Sequence, residues 1–328
     1  MREPFALAGI TVQVDARISI AMYPDHCAHP DELLIRAEAA LADQRSPGRI
    51  KVYDSAVDVR SSHDAWLVED LGKAFEGGQL ICHYQPKIVA RNEQVHSVEA
   101  LVRWRHPTRG LLMPDQFLPS AEQGGLMRSV TTCVLDIALS QARNWRDQGI
   151  TLTVAVNLST TNLLDVDLVD TIDRLLQTHR LPAASLILEI TESTLTTDSQ
   201  RARKTVAALR NLGMRLSLDD YGTGWSSLAR LQDLSVDELK LDKIFVARLA
   251  RDPRSIAIVR STVALAHSLG ADLVAEGVED VHTLAALRQY GCNITQGNVH
   301  TPALSAEQLQ TWLTSHGLAN LEVSTGVG

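Results

Sequence analysis

Short apolar runs that end in a polar residue recur along this chain, and they constrain its fold more than any other feature. The run Val98-Glu99-Ala100-Leu101-Val102-Arg103-Trp104 carries a carboxylate in strand-like surroundings. An ionised carboxylate is costly to bury unless a metal or a base compensates it. Asn157 ends the run 152–158, Glu189 the run 186–190 and Asp219-Asp220 the run 215–218. Lys240 ends 237–241, Glu276 follows 272–275 and Gln296 follows 292–295. Helix-like segments separate most of the runs. Repeated strand–helix units with polar strand ends predict a (β/α)8 TIM barrel, an α/β fold whose active site lies at the C-terminal ends of its strands. One such glutamate means little, but seven such positions in one chain point to a shared site.

The 328 residues leave room for one barrel of about 250 residues and a small extra piece. An apolar content of 45% supports an ordinary buried core. The formal charge of −8 argues against a DNA or RNA polymer as partner, which needs a basic face, but leaves open a small phosphate ligand held through metal ions. Cys27, Cys82, Cys133 and Cys292 are far apart, with no Cys-x-x-Cys. That spacing suits a reducing compartment rather than a zinc site or a disulfide framework. No apolar run reaches the roughly 18 residues of a membrane span, and the N-terminus lacks the basic start and apolar stretch of a signal peptide. A soluble, cytoplasmic chain is expected.

Four parts are expected: 1–54, a connector helix over 55–78, a barrel over 79–316 and a flexible tail over 317–328. In the first part, 11–24 reads as a strand ending in a turn, Pro30-Asp31-Glu32 opens a helix, Pro47-Gly48 breaks it and 50–53 is a short strand. Leu67, Leu71 and Phe75 recur every four residues in the connector, and Gly77-Gly78 stops it. Barrel strands are expected at 80–85, where Pro86 ends the first, then at 94–104, 151–159, 186–191, 215–220, 238–241, 273–276 and 292–296. Helices are expected at 115–127, 129–148, 165–179, 199–212, 254–269 and 281–290, with a Gly-rich loop at 221–227.

The N-terminal β-α-β piece resembles the last third of a diguanylate cyclase (GGDEF) domain. The matching residues are Ile18-Ser19-Ile20-Ala21-Met22-Tyr23-Pro24, Ala37-Glu38-Ala39-Ala40-Leu41 and Gly48-Arg49. Glycine is usual in that family where Ser19 stands, and tyrosine where Ala42 stands. The Gly-Gly-Asp-Glu-Phe signature lies earlier in the family and is absent from this chain. The resemblance therefore implies a partial or degenerate domain without cyclase activity; an unrelated β-α-β cap is the alternative.

If the barrel closes, Glu99, Glu189, Asp219, Asp220 and Glu276 bring five carboxylates into one mouth. Their mutual repulsion would force several to protonate unless cations intervene. Hard oxygen donors, with the Asn157 amide among them, suit Mg²⁺ or Mn²⁺. Adjacent aspartates can serve one ion each, or let one carboxylate bridge two ions about 3.5–4 Å apart, the usual clamp for phosphodiester hydrolysis. Lys240 would stand beside the attacking water and orient it or help deprotonate it. Taken singly, each residue has an ordinary explanation: Asp219-Asp220 before glycine as turn chemistry, Lys240 as an ion pair, Glu192 as a cap on 194–196. Tyr221-Gly222-Thr223-Gly224 is too short for a phosphate loop and lacks its Gly-Lys-Ser/Thr ending. The joint placement at strand ends favours a site.

Residues 68–316 resemble an EAL domain, the cyclic-di-GMP phosphodiesterase family. The matching motifs begin with Tyr84-Gln85-Pro86, Glu99-Ala100-Leu101-Val102-Arg103-Trp104, His106-Pro107, Asn157-Leu158-Ser159 and Glu189-Ile190-Thr191-Glu192. They continue with Asp219-Asp220-Tyr221-Gly222-Thr223-Gly224, Lys240-Leu241-Asp242, Ala275-Glu276-Gly277-Val278-Glu279 and Gln296-Gly297. The resemblance implies hydrolysis of cyclic-di-GMP to linear 5′-pGpG by a water activated by two Mg²⁺ or Mn²⁺ ions, with Ca²⁺ inhibitory. It implies that Glu99, Asn157, Glu189 and Asp219 hold one ion and Asp219, Asp220 and Glu276 the other. Lys240 would position the water, with Glu276 the alternative base. Gln85, Arg103 and Gln296 would contact the substrate, Arg103 at a phosphate. Glu192 would anchor the loop after Asp220, which in this family touches a homodimer interface between barrels.

Two departures stand out. Tyr221 replaces a frequent phenylalanine, and Asn298-Val299-His300-Thr301-Pro302 replaces an aromatic and a later Lys-Pro. The second is expected to loosen the pocket wall and weaken affinity. The competing readings are a cyclic-di-GMP receptor without turnover, which usually lacks metal-binding acids, and a catalytically silent interaction module.

Overall fold

The structure, a computed structural model, describes residues 5–7, 10–12, 18–27, 29–42, 50–53, 55–191, 200–222, 235–249 and 251–316. The expected break at Pro47-Gly48, most of the Gly-rich loop and the tail 317–328 lie outside these residues. The chain divides into two compact units, Met1–Leu71 and Gly72–Gly328.

In the first unit, β1 (Phe5–Leu7) and β2 (Ile10–Val12) pair antiparallel. β3 (Ile18–Ile20) leads through the turn Pro30–Glu32 and helix α1 (Leu33–Ala42) to β4 (Ile50–Val52), which pairs parallel with β3. This is the expected β-α-β order. Helix α2 (Ser55–Glu76) buries Leu67, Leu71 and Ala74, so the apolar stripe shifts from the expected Phe75 to Ala74. Gly78, at φ 59°, closes it.

The second unit is a closed eight-stranded barrel. β5 (Leu80–Val89) and β6 (Val95–His106) form an antiparallel hairpin, with Gln85 opposite Glu99. β7 (Gly110–Leu112) extends the outer end of β6. Helices α3 (Pro114–Gln123) and α4 (Met127–Asp147) precede β8 (Val154–Leu158). Then come α5 (Thr160–Leu163), α6 (Leu168–His179), β9 (Leu186–Thr191), α7 (Gln200–Asn211) and β10 (Arg215–Tyr221). β11 (Glu238–Leu241), α8 (Lys243–Ala247), α9 (Pro253–Leu269), β12 (Asp272–Ala275), α10 (Val281–Gln289), β13 (Ile294–Thr295) and α11 (Ala306–Ser315) complete it. From β6 through β8 to β13 the barrel neighbours run parallel, and β13 closes on β5 antiparallel through Ile294–Val89 and Thr295–Ile88.

Two expectations are corrected. The strand–helix alternation fails at the first strand, because the five residues 90–94 between β5 and β6 suffice for a hairpin but not for a crossover helix. Pro86 does not end β5. The Tyr84 N–H donates to Leu304 O at 2.7 Å, away from β6. The imide nitrogen of Pro86, two residues on, faces the same side, where β13 begins to pair only at Ile88. No ladder bond is lost there. Among the helices, α4 shows most plainly why the sequence folds this way. Val130, Val134, Leu135, Ala138, Leu139, Ala142 and Trp145 are buried at three- and four-residue spacing, each large side chain contributing about 2 kcal/mol. The Trp145 ring meets Tyr84 of β5 edge-on at 4.9 Å.

Candidate functional site

Side chains alternate between the two faces of a strand, so residues two apart on a barrel strand share the interior. Glu99 faces that interior from the middle of β6, and Asn157, Glu189, Asp219 and Lys240 face it near the C-terminal ends of β8, β9, β10 and β11. Glu276 and Gln296 directly follow β12 and β13. Lys240 is the hub. Its buried Nζ donates to Glu189 Oε2 at 2.8 Å and Asp219 Oδ2 at 3.0 Å, and lies 2.7 Å from Glu276 Oε1 and 3.6 Å from Glu99 Oε2. Asn157 Nδ2 donates to Glu99 Oε1 at 2.8 Å. Gln296 Nε2 donates to Glu99 Oε2 at 2.8 Å and to Gln85 Oε1 at 3.1 Å. A cavity of ≈ 400 Å³ opens over this group, with Gln85, Glu99, Asn157, Asp219, Glu276 and Gln296 in its wall.

The backbone turns sharply where two adjacent carboxylates must both reach the mouth. Asp220 has φ 57°, and its N–H donates to Asp219 Oδ1 at 2.8 Å. Left-handed backbone at a non-glycine residue is strained and concentrates at functional sites. Asp219, Asp220 and Glu276 each offer an oxygen within 4.8 Å of the others.

Charge is unbalanced here. Burial raises the carboxyl of Glu99, helped by repulsion from Glu189, although Lys240 and Lys87 pull the other way. Glu276 is pushed up to about 8 by burial and by Asp219 and Glu99, against the pull of Lys240. Burial and the carboxylates of Asp219 and Asp242 raise Asp220. Burial would raise Glu189 too, but Lys240 and Lys87 outweigh it and lower its pKa. A crowded set of oxygen donors, three of them held above their ordinary pKa, suits a hard divalent cation. Gln296 Oε1 is buried without a hydrogen-bond partner and adds an acceptor. On donor chemistry, the site fits the expected ions.

The expected residues do not all converge. Arg103 lies four residues beyond Glu99 on the same strand; its guanidinium donates to Val102 O at 2.8 Å, and it is not part of the cavity wall. Glu192 lies outside the described residues. The wall expected to be loose is pinned instead. Val299 N donates to Val278 O at 2.9 Å, Val278 N to Gln296 O at 3.0 Å, and Gln85 Nε2 to Thr301 O at 3.2 Å. Gly297 makes this close approach possible, since a Cβ there would stand 2.2 Å from Val278 O. Gly297→Ala is expected to cost at least about 2 kcal/mol through overpacking, read as a lower urea midpoint.

Sequence reasoning missed Lys87 and Glu238, both fully buried in the barrel interior. Lys87 Nζ donates to Glu189 Oε1 at 2.5 Å and Glu238 Oε2 at 2.9 Å. His96 Nε2 and Arg215 reach Glu238 Oε1 at 3.2 and 3.3 Å. The signal was the two-residue period: Lys87 shares a face with Gln85, and Glu238 with Lys240. Burial would raise the Glu238 carboxyl, but Lys87, His96 and Arg215 outweigh it and hold its pKa far below the ordinary range. A carboxyl depressed on folding contributes stability that is full above its unfolded pKa and lost as pH falls toward the folded one. Glu238→Gln is therefore expected to cost about 3–5 kcal/mol at pH 7, because it breaks a buried pair. That difference should narrow below about pH 4, as measured by urea unfolding at both pH values.

Against known proteins, the family model described as EAL domain matches residues 68–303. The chain belongs to the EAL domain family. It is 40% identical over 310 residues to the bifunctional diguanylate cyclase/cyclic di-GMP phosphodiesterase MucR of Pseudomonas aeruginosa, covering 94% of this chain and 45% of MucR. It is 35% identical over 314 residues to the cyclic di-GMP phosphodiesterase PdeR of Escherichia coli, covering 95% and 47%. The chain thus spans less than half the length of these curated relatives. The solved PaMucR phosphodiesterase in complex with c-di-GMP superposes with a TM-score of 0.71 at 43% identity, covering 74% of this chain and 99% of that one. Among the described residues of the EAL chain, no helix is long and apolar enough to cross a membrane.

Proposed function

We propose that this chain is a hydrolase that opens cyclic-di-GMP to linear 5′-pGpG at the mouth of its EAL barrel. The observation that carries the reading is the convergence of Glu99, Glu189, Asp219 and Glu276 on Lys240 beneath one cavity. The relatives named for this activity, and the neighbour solved with c-di-GMP, support the choice of substrate. Two Mg²⁺ or Mn²⁺ ions, one on Glu99, Asn157, Glu189 and Asp219 and the other on Asp219, Asp220 and Glu276, would make a water acidic and offset the charge growing on phosphorus. The chain's own groups do the rest. Lys240 orients the attacking water and lends positive charge at the reacting phosphate. Glu276, which lies 2.7 Å from the Lys240 ammonium, is the alternative base for that water. Asn157 and Gln296 hold Glu99 by its two oxygens. Gln85 and Arg103 are assigned to the dinucleotide, and Glu192 to the loop after Asp220.

The first unit is read as the end of a GGDEF domain. Its parallel β-α-β order supports this, as does a MucR alignment that runs well past the 68–303 match. The exposure of Ile18, Ile50 and Val52, each more than half open to solvent, suits a sheet built to be covered by more protein. Four free cysteines, three of them buried, accord with the cytoplasm. A homodimer through the barrel is the expected assembly, and light scattering at micromolar concentration tests it.

The deciding experiment is chromatography of cyclic-di-GMP incubated with the protein and Mg²⁺, Mn²⁺, Ca²⁺ or chelator, beside Glu99→Ala. Metal-dependent pGpG that disappears in the variant and with Ca²⁺ is expected. Saturable binding without product would make the protein a receptor instead.

A further inference from the structure

A chain of alternating charges crosses the barrel interior below the mouth: Lys240, Glu189, Lys87, Glu238, then His96 and Arg215. Barrel interiors are ordinarily packed with branched apolar side chains. A buried ion pair gains little over such packing in stability, so this one calls for another explanation. The geometry of Glu189 supplies it. Its two oxygens are taken separately, Oε2 by Lys240 on the mouth side and Oε1 by Lys87 from within the barrel. Lys87 stands on the antiparallel strand β5, fully buried, and is itself fixed by Glu238. Glu238 is in turn clasped through its other oxygen by His96 and Arg215.

We infer that Lys87 is a positioning residue: it holds Glu189 Oε1 inside the barrel, so that Glu189 offers a single oxygen, Oε2, to a divalent cation at the mouth. The inference rests on the reading of Glu189 as a metal ligand. Partners behind a metal ligand fix its orientation, and their loss typically costs about 10–100-fold in metal affinity or activity. Lys240 cannot replace Lys87, because it contacts four carboxylates and bonds the other oxygen of Glu189. Glu238 acts one step further back, as the fixed acceptor that keeps the Lys87 ammonium on its line to Glu189.

The full-length protein, Lys87→Met and the double variant Lys87→Met/Glu238→Gln separate this role from simple neutralisation of Glu238. Mn²⁺ affinity is read by the electron paramagnetic resonance of free Mn²⁺, turnover by pGpG formation and folding by thermal melting. The single variant is expected to melt lower, because it leaves Glu238 without its ammonium. The double variant should recover most of that melting temperature and still bind Mn²⁺ about 10–100-fold more weakly, with kcat lowered and KM for cyclic-di-GMP little changed. Wild-type Mn²⁺ affinity in a folded single or double variant would overturn the inference. Mn²⁺ binding that weakens as expected in the variants, while the wild type binds Mn²⁺ but forms no pGpG, would overturn the hydrolase reading and leave the positioning role standing. No Mn²⁺ binding by the wild type would overturn both.

Discussion

Lys240→Met is expected to lower cyclic-di-GMP turnover by about 10³-fold and, in the metal-free protein, the melting temperature by about 10 °C. The two losses share one cause. The ammonium is the hub on which Glu99, Glu189, Asp219 and Glu276 converge, and it is almost completely buried. Removing one partner from a buried ionic cluster leaves uncompensated charge, at about 3–5 kcal/mol. In a domain of this size that is about 2–4 °C per kcal/mol. Glu99 and Glu276 already sit above their ordinary pKa with Lys240 in place, and its loss would push both further up. Added Mn²⁺ should return most of the lost melting temperature without restoring turnover, since cations can balance the carboxylates but cannot orient the water as the ammonium does. Calorimetry with and without MnCl₂, beside the turnover assay, checks both halves. An unchanged melting temperature would show that Lys240 does not hold the carboxylates together.

Asp219→Asn should remove turnover at least as completely, by about 10³-fold or more, while leaving the metal-free fold near wild-type stability. Asp219 belongs to both proposed ligand sets, meeting Lys240 at 3.0 Å and lying within 4.8 Å of donor oxygens on Asp220 and Glu276. Asparagine keeps the shape and an acceptor for the Asp220 N–H, which now donates at 2.8 Å, but loses the charge a cation needs. It also relieves part of the repulsion that pushes Glu276 up to about 8. Removing the cation and removing an anion should thus part company in stability and agree in activity. Mn²⁺ calorimetry should show the loss of at least one binding event. Unchanged Mn²⁺ stoichiometry in a folded variant would sink the shared-ligand assignment.

Much of the site was legible because two local rules apply within each strand. A continuous apolar run marks a buried strand, and a polar residue at its end marks the mouth, with Glu99, in the middle of β6, the exception. β9 (Leu186–Thr191) and β11 (Glu238–Leu241) fall at their expected bounds for that reason. β13, expected over five residues, pairs over only Ile294–Thr295, since pairing depends on how far its neighbours reach. The pinned wall around Gly297 was equally hidden, because it rests on a turn meeting the backbone of Val278.

By itself, then, the sequence determined the barrel, the strand ends and the carboxylates at the mouth, since face and end are properties of a few consecutive residues. Only the tertiary structure decided that β5 runs against its neighbours and that Pro86 sits harmlessly within it. It alone showed that Lys87 meets Glu189 and Glu238 across 102 and 151 residues of chain. Those contacts arise when the barrel closes and brings β5 against strands far along the chain, and no pattern within one strand encodes which distant charge will fill the space beside it.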